Sequence, residues 1–155
     1  MRIVSKVSEM LAIQKGLNRP LGLVPTMGAL HRGHESLINQ SLKDNNSTVV
    51  SIFVNPSQFN ATEDLEKYPK PLSTDLALLE KAGVDIAFLP DNEDMYPESF
   101  ETWIEVEKTS AILEGQSRPG HFKGVATIVA KLFNIVKPDK AYFGQKDAQQ
   151  LNIIK

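Results

Sequence analysis

The stretch LVPTMGALHRGHESL, Leu23 to Leu37, starts apolar, meets Pro25, turns through Gly28 and resumes with two histidines, His31 and His34, around Gly33. That order is a buried strand, a glycine-bearing turn and a helix start, the opening of a β–α unit. Extended outward, LGLVPT (Leu21 to Thr26) predicts the strand, and RGHESLINQSLKDN carries Leu37, Ile38 and Leu42 at helical spacing. The pattern then repeats. TVVSIFVN (Thr48 to Asn55) predicts a β-branched buried strand, and LSTDLALLEKAG a helix capped by Ser73 or Thr74, with Gly83 past its end. VDIAFLP predicts a strand closed by Pro90, and ETWIEVE, alternating apolar and polar residues, a half-exposed strand. The spacing from Lys123 to Val136 is helical and stops before Pro138. KAYFG then predicts a last strand and KDAQQLNIIK a last helix. Short buried strands alternating with helices imply an α/β fold, a doubly wound parallel sheet with right-handed crossovers. Two polar, proline-punctuated segments, Asn55 to Pro71 and Pro90 to Phe100, interrupt it and are long enough to be functional loops over the sheet edge.

Composition excludes several classes of function. The 155 residues suffice for one domain with a real core, and 41% hydrophobic with 23% charged residues is ordinary for a globular chain. A formal net charge of -2 provides no global basic field for nucleic acid or an acidic membrane surface. There is no cysteine, hence no disulfide scaffold, thiolate zinc site or cysteine nucleophile, which suits a cytoplasmic location. The N-terminal MRIVSKVSEMLAIQKG is broken by Ser, Lys and Glu and has no signal-peptide core. No apolar stretch approaches the ~20 residues that span a membrane.

Ligands of such sheets sit outside the carboxyl ends of the strands, and a helix N-terminus there favours phosphate. PTMGALHRGH occupies that turn without the spacing of a dinucleotide fingerprint or a P-loop. Gly28 and Gly33 permit close backbone approach. His31 and His34, three apart, fall on one face of the helix start, where both imidazoles can donate to one phosphate chain. A surface coincidence or half a zinc site would also place two histidines so. Zinc would need His121 or carboxylates as further ligands, at no close spacing. The turn's position after a buried strand favours a Rossmann-like nucleotide-binding domain.

HRGH is similar to the HxGH signature of the adenylyl-transferring superfamily that includes class I aminoacyl-tRNA synthetases and nucleotidylyltransferases. Together LVPTMGALHRGH, VVSIFVNPSQF and EGQSRPGHFKGVATIVAKLFNIVKPDKAYFGQKDAQQL resemble the pantoate–β-alanine ligase (pantothenate synthetase) family, from about Leu21 to Leu151. The resemblance implies ATP-dependent condensation of pantoate with β-alanine through pantoyl adenylate, releasing pyrophosphate and then AMP. The chain's lack of a cysteine nucleophile or a recognisable Ser-His-Asp signature fits activation of the acyl group by a cosubstrate. The resemblance also implies a homodimer and, in relatives, the rest of this domain and a second, smaller one following residues 1–155, with a Ser-Ser-Arg-like segment that closes on the triphosphate. That string does not occur here, so the expectation for this chain is weak ATP binding and little turnover. The alternatives are a nucleotide-binding domain without catalysis and another HxGH nucleotidylyltransferase.

By matching position, the ATP loop falls on Pro25, Thr26, Met27, Gly28, Ala29, Leu30, His31, Arg32, Gly33 and His34. His34 takes the catalytic position, with His31 beside it. Hydrogen-bond donation to phosphate is the role read for both, rather than proton transfer. A second ATP segment falls on Gly144, Gln145, Lys146 and Asp147, with Lys146, in a first helical turn, the charge aimed at the phosphates; many relatives carry Glu where Gln145 stands. Gln58 and Gln150 match the pantoate-binding glutamines, Gln58 also lying near β-alanine, and Asn55 supports that pocket. Neutral amides both donate and accept, as a hydroxylated carboxylate requires. Tyr68, Glu114 and Arg118 fall in matching loops that order the intermediate or a lid. His121 reads as a structural hydrogen bond and Trp103 as packing. Attack on an α-phosphate implies Mg2+, for which the sequence names no ligands; Asp75 reads as an indirect ligand or simply a helix-start charge.

Overall fold

The computed structural model describes residues 1–60 and 62–155, with the side chains of 62 and 63 left aside. Among the described residues five strands form one sheet: β1 (Arg2–Val4), β2 (Leu21–Thr26), β3 (Ser47–Ile52), β4 (Ile86–Phe88) and β5 (Lys140–Ala141). Their order is β1-β4-β3-β2-β5, and every neighbouring pair is parallel. The central ladder runs from Leu21 opposite Ser47 to Thr26 opposite Ile52, so β2 and β3 end level with one another. The helices are α1 (Val7–Ile13), α2 (Arg32–Asp44), α3 (Thr62–Lys67), α4 (Leu72–Ala82), α5 (Asn92–Met95), α6 (Glu114–Ser117), α7 (His121–Val136) and α8 (Ala148–Ile154).

Alternate strand residues serve opposite faces, and both faces are covered. Leu23, Val49, Ile86 and Phe88 pack with Met10 of α1 and with Val125, Ile128, Val129, Leu132 and Val136 of α7. Their neighbours Val24, Val50 and Ala87 pack on the other face with Ile38 of α2 and Leu79 of α4. A strand buried on both sides reads as an uninterrupted apolar run, which is why LGLVPT and TVVSIFVN were legible as strands, although the second is Ser47–Ile52 and ends three residues before the expected Asn55. The α/β architecture is the expected one, a parallel sheet with helices on both faces.

Several local expectations need correcting. ETWIEVE is not a strand. Its backbone is bound to a helix instead, the Ile104 N–H donating to Thr127 Oγ1 of α7 at 3.0 Å. Residues 101–105, Trp103 and Ile104 among them, are exposed and only Val106 packs, against Phe122, Ala126 and Ile153, so the apolar–polar alternation does not correspond to a buried face. Neither Ser73 nor Thr74 caps α4. Pro71 is the N-cap and makes no side-chain cap bond, and the first turn starts with Asp75 N–H to Pro71 O at 3.0 Å. Gly83 does end α4, in the left-handed conformation at φ 91°. Lys146 lies before the N-cap of α8, which is Asp147, and not in the helix's first turn. The strand expected in KAYFG is confined to Lys140 and Ala141. Within the expected loop Asn55 to Pro71 a 3-10 turn, Pro56–Gln58, and α3 form, its residue 61 lying outside the described residues. Among the described residues no helix is long and apolar enough to cross a membrane.

Candidate functional site

The carboxyl ends of β2 and β3 carry the site. Past β2 the chain must reverse quickly into α2, and side chains fix that reversal. Thr26 Oγ1 donates to Ser51 O on β3 at 2.8 Å and accepts the Gly28 N–H at 3.1 Å. Gly28 and Ala29 have positive φ, 81° and 51°. A Cβ on Gly28 would also meet Asp75 Oδ2 at 3.0 Å and Ile52 Cγ2 at 3.1 Å. The Asp75 carboxylate, 3% exposed, grips the turn from α4: Oδ2 accepts the Ala29 N–H at 2.8 Å and Oδ1 the Leu30 N–H at 2.9 Å. This clamp is what Asp75 does, in place of the bare helix-start charge that its position suggested.

The two histidines then cap α2 reciprocally. His31 is the N-cap, its Nδ1 accepting the Gly33 N–H at 3.1 Å, and His34 Nδ1 accepts the His31 N–H at 3.3 Å. The rings lie against each other, centroids 4.2 Å apart and tilted by 41°. This capping box uses imidazole nitrogens where Ser and Glu are usual. A backbone N–H can only donate, so each Nδ1 must accept, and the hydrogen of each neutral ring sits on Nε2. Gly33 is required by this fit, since a Cβ there would lie 2.9 Å from His31 Cε1. Burial and the neighbouring His31 charge hold the His34 imidazole below the ordinary histidine pKa, partly opposed by Asp75. The spacing that reads in sequence as one helical face is thus also a structural cap.

A cavity of about 300 Å3 brings the expected residues together: Pro25, Thr26, Met27, His31 and His34 from the turn, Asn55 and Gln58 after β3, and Asp147 and Gln150 at the start of α8. Its wall is apolar, with Phe53, Phe143 and Val125, Ile128, Val129 and Leu132 of α7. An adjoining cavity of about 490 Å3 shares Met27, Gln58, Tyr68, Asp147 and Gln150 and adds Glu114, Arg118, His121 and Lys146. Lys146 therefore faces the second cavity rather than the one holding the histidines. Gly144 and Gln145 are exposed and, like Arg32, line neither of the two. Among the described residues no three His, Asp or Glu side chains gather as a metal site.

The 3-10 turn carrying Gln58 is held down by α7. Gly124 permits the contact, because a Cβ there would strike Ser57 O and stand 2.8 Å from Gln58 N. His121 Nδ1 lies 2.8 Å from Gln58 O, and since a carbonyl only accepts, this ring carries its hydrogen on Nδ1. Burial lowers the His121 pKa. Its structural reading holds. Trp103 stacks on Tyr96 at 6.2 Å, with Lys123 Nζ 5.6 Å from its ring. Sequence reasoning missed the roles of Asp75 and Tyr96, whose contacts are 45 and 41 residues distant in the chain.

Sheet, crossovers and the His-x-Gly-His cap place the chain among parallel α/β domains whose strand-to-helix turn bears that motif. More narrowly, it belongs to the pantoate–β-alanine ligase family, whose model matches residues 2–155. Pantothenate synthetase of Acetivibrio thermocellus is 56% identical over all of this chain and 56% of its own length, and that of Caldicellulosiruptor bescii 55% identical over the same shares. The chain spans about half the length of the curated relatives it matches. The crystal structure of pantothenate synthetase from Thermus thermophilus superposes at TM-score 0.94 with 52% identity, over 99% of this chain and 55% of that one. Pantoate–β-alanine ligase from Francisella tularensis, complexed with β-γ ATP and β-alanine, gives TM-score 0.95 and 44% identity over 99% of this chain and 60% of that one.

Proposed function

We propose that this chain binds ATP and pantoate side by side and serves the first step of pantoate–β-alanine ligation. A pantoate carboxylate oxygen attacks the α-phosphorus, the bond to the β-phosphate oxygen breaks, and pyrophosphate leaves. The β-alanine amine then attacks the adenylate carbonyl, losing a proton to solvent as AMP departs. The observation that carries this reading is one cavity lined by both histidines and by Gln58 and Gln150. His31 and His34 supply Nε2–H donors of fixed tautomer to the phosphates, an electrostatic role that does not depend on proton transfer. The glutamine amides take the hydroxyls and carboxylate of pantoate, and the aliphatic wall takes its two methyl groups. Lys146 meets the substrates from the adjoining cavity. Mg2+ is part of this reading only as the companion of the triphosphate, whose oxygens and water would be its ligands; no side-chain cage among the described residues fits it, and no step is assigned to it. A cytoplasmic homodimer belongs to the same reading, and solution mass by light scattering checks the dimer.

Phosphorus NMR of the chain with ATP, Mg2+, pantoate and β-alanine tests the proposal. Pantoate-dependent AMP and pyrophosphate, or ATP resonances that shift with wild type and stay fixed with His34→Ala, support it. ATP resonances unmoved at millimolar protein would overturn it.

A further inference from the structure

We infer that Gln149 is a positioning residue for the charged wall of the second cavity, and that this wall receives the amino-acid substrate; the inference rests on the reading of Gln58 and Gln150 given above. That cavity shares Gln58 and Gln150 with the one assigned to pantoate, and its charges are Arg118 and Lys146 against Glu114 and Asp147. Among the described residues none of these four is paired with another. A wall that offers both signs suits a zwitterion, and β-alanine is one, entering beside the pantoate carbonyl that its amine attacks.

Half of that wall hangs from one side chain. Glu114 starts α6, Arg118 follows it, and a 3-10 turn, Thr109–Ala111, precedes them. A Cβ on Gly115 would strike Ser110 O, so turn and helix form one unit. The apolar side chains that could anchor this unit are turned out, Ile112 50% and Leu113 71% exposed. Its tie to α8 is the Gln149 amide: Nε2 donates to Thr109 O and Ile112 O, each at 2.8 Å, and Oε1 accepts the Glu114 N–H at 3.3 Å. No other hydrogen bond joins residues 107–118 to α8 among the described residues. All three partners are main-chain groups, carbonyls that only accept and an N–H that only donates, so the amide has one orientation. The wall's position is also written in His121, whose ring lies against Gln58. Burial holds the His121 pKa down, and of its charged neighbours Arg118 lowers it while Glu114 and Asp147 raise it, Arg118 with the larger effect.

The test is Gln149→Met, which nearly keeps the length and volume of the side chain and removes all three hydrogen bonds. Backbone 15N relaxation reads Glu114 and Arg118, the His121 C2 proton reads that ring's titration, and β-alanine, pantoate and ATP are titrated into the same samples. The expected result is Glu114 and Arg118 amides that gain mobility, a His121 midpoint that rises toward the ordinary histidine value, a β-alanine affinity lower by about fivefold, and ATP-induced shifts at Gly33 and His34 that do not change. A merely structural contact would lower Tm and leave the His121 midpoint and the β-alanine affinity where they are. Amides as ordered as in wild type, or an unchanged β-alanine affinity, overturn the inference, as does a wild type in which β-alanine shifts neither Glu114 nor Arg118. A wild type that binds no pantoate defeats the functional reading instead, while amide mobility and the His121 midpoint still decide whether Gln149 sets the wall. Should Gln149→Met fail to fold, Gln149→Glu keeps an acceptor for the Glu114 N–H, loses both donors and is read in the same way.

Discussion

Asp75→Asn isolates the clamp on the phosphate-side turn. The substitution keeps the shape of the side chain but leaves it one accepting oxygen and a donating NH2 where two backbone N–H groups point, those of Ala29 and Leu30. One charge-assisted hydrogen bond worth about 1.5–3 kcal/mol is lost and one donor is left facing another, a further ~1–3 kcal/mol if no water reaches it. Both amides belong to half-buried residues, so part of the second cost is relieved, and we expect a total of about 3 kcal/mol. In a domain of this size that lowers Tm by roughly 6–12 °C. Amide hydrogen exchange at Ala29 and Leu30 is the more specific assay. The same free energy corresponds to about hundredfold faster local exchange, whereas amides of β3 change only with global stability. Asp75→Glu, which keeps the charge on a longer stem, should fall between. Exchange at Ala29 and Leu30 accelerated by less than about threefold, with Tm lowered as expected, would show that Asp75 acts through α4 and not through the turn.

Other consequences follow from the same contacts. Gly33→Ala drives a Cβ into the His31 ring, so it should break the cap, cost about 0.5–2 kcal/mol in thermal unfolding and abolish the ATP-induced phosphorus shifts. Gly124→Ala forces the Ser57–Gln58 backbone off α7. An overpacking cost of about 1–3 kcal/mol and loss of pantoate-induced shifts at Gln58 are expected, with ATP binding retained. The His34 and His121 pKa values lie below 6.5 when folded, so between those values and 6.5 the unfolded chain binds more protons and stability rises with pH. Their contribution is complete above 6.5 and is lost as pH falls through the folded values. Tm should therefore drop between about pH 7.5 and 5.5, and His34 C2-proton titration by NMR should show a midpoint below 6.5.

Much of the fold was legible because its signals are local. The six residues of β2 are the six of LGLVPT, and α2, α4 and α7 follow their apolar spacing to within about two residues, since burial on both sheet faces writes itself into consecutive side chains. β1 was not legible, because three edge residues with one buried side chain leave no pattern. ETWIEVE misled because its alternation matches no buried face: residues 101–105 are exposed and only Val106 packs, while the backbone is tied to Thr127 of α7 and not to a neighbouring strand.

By itself, the sequence determined the parallel α/β plan, the turn with HRGH at a helix start and, through its longer strings, the family. These rest on neighbours in the chain: period, punctuation, and residues three apart. Only the tertiary structure decided which nitrogen of each histidine is free, that Asp75 holds the turn, and that Asn55, fixed between the Ser57 N–H and the Gly124 carbonyl, donates to Gln58 Oε1. Each of those follows from a hydrogen-bond partner's direction, and at sites where the partner is 40 or more residues away no spacing in the sequence encodes it.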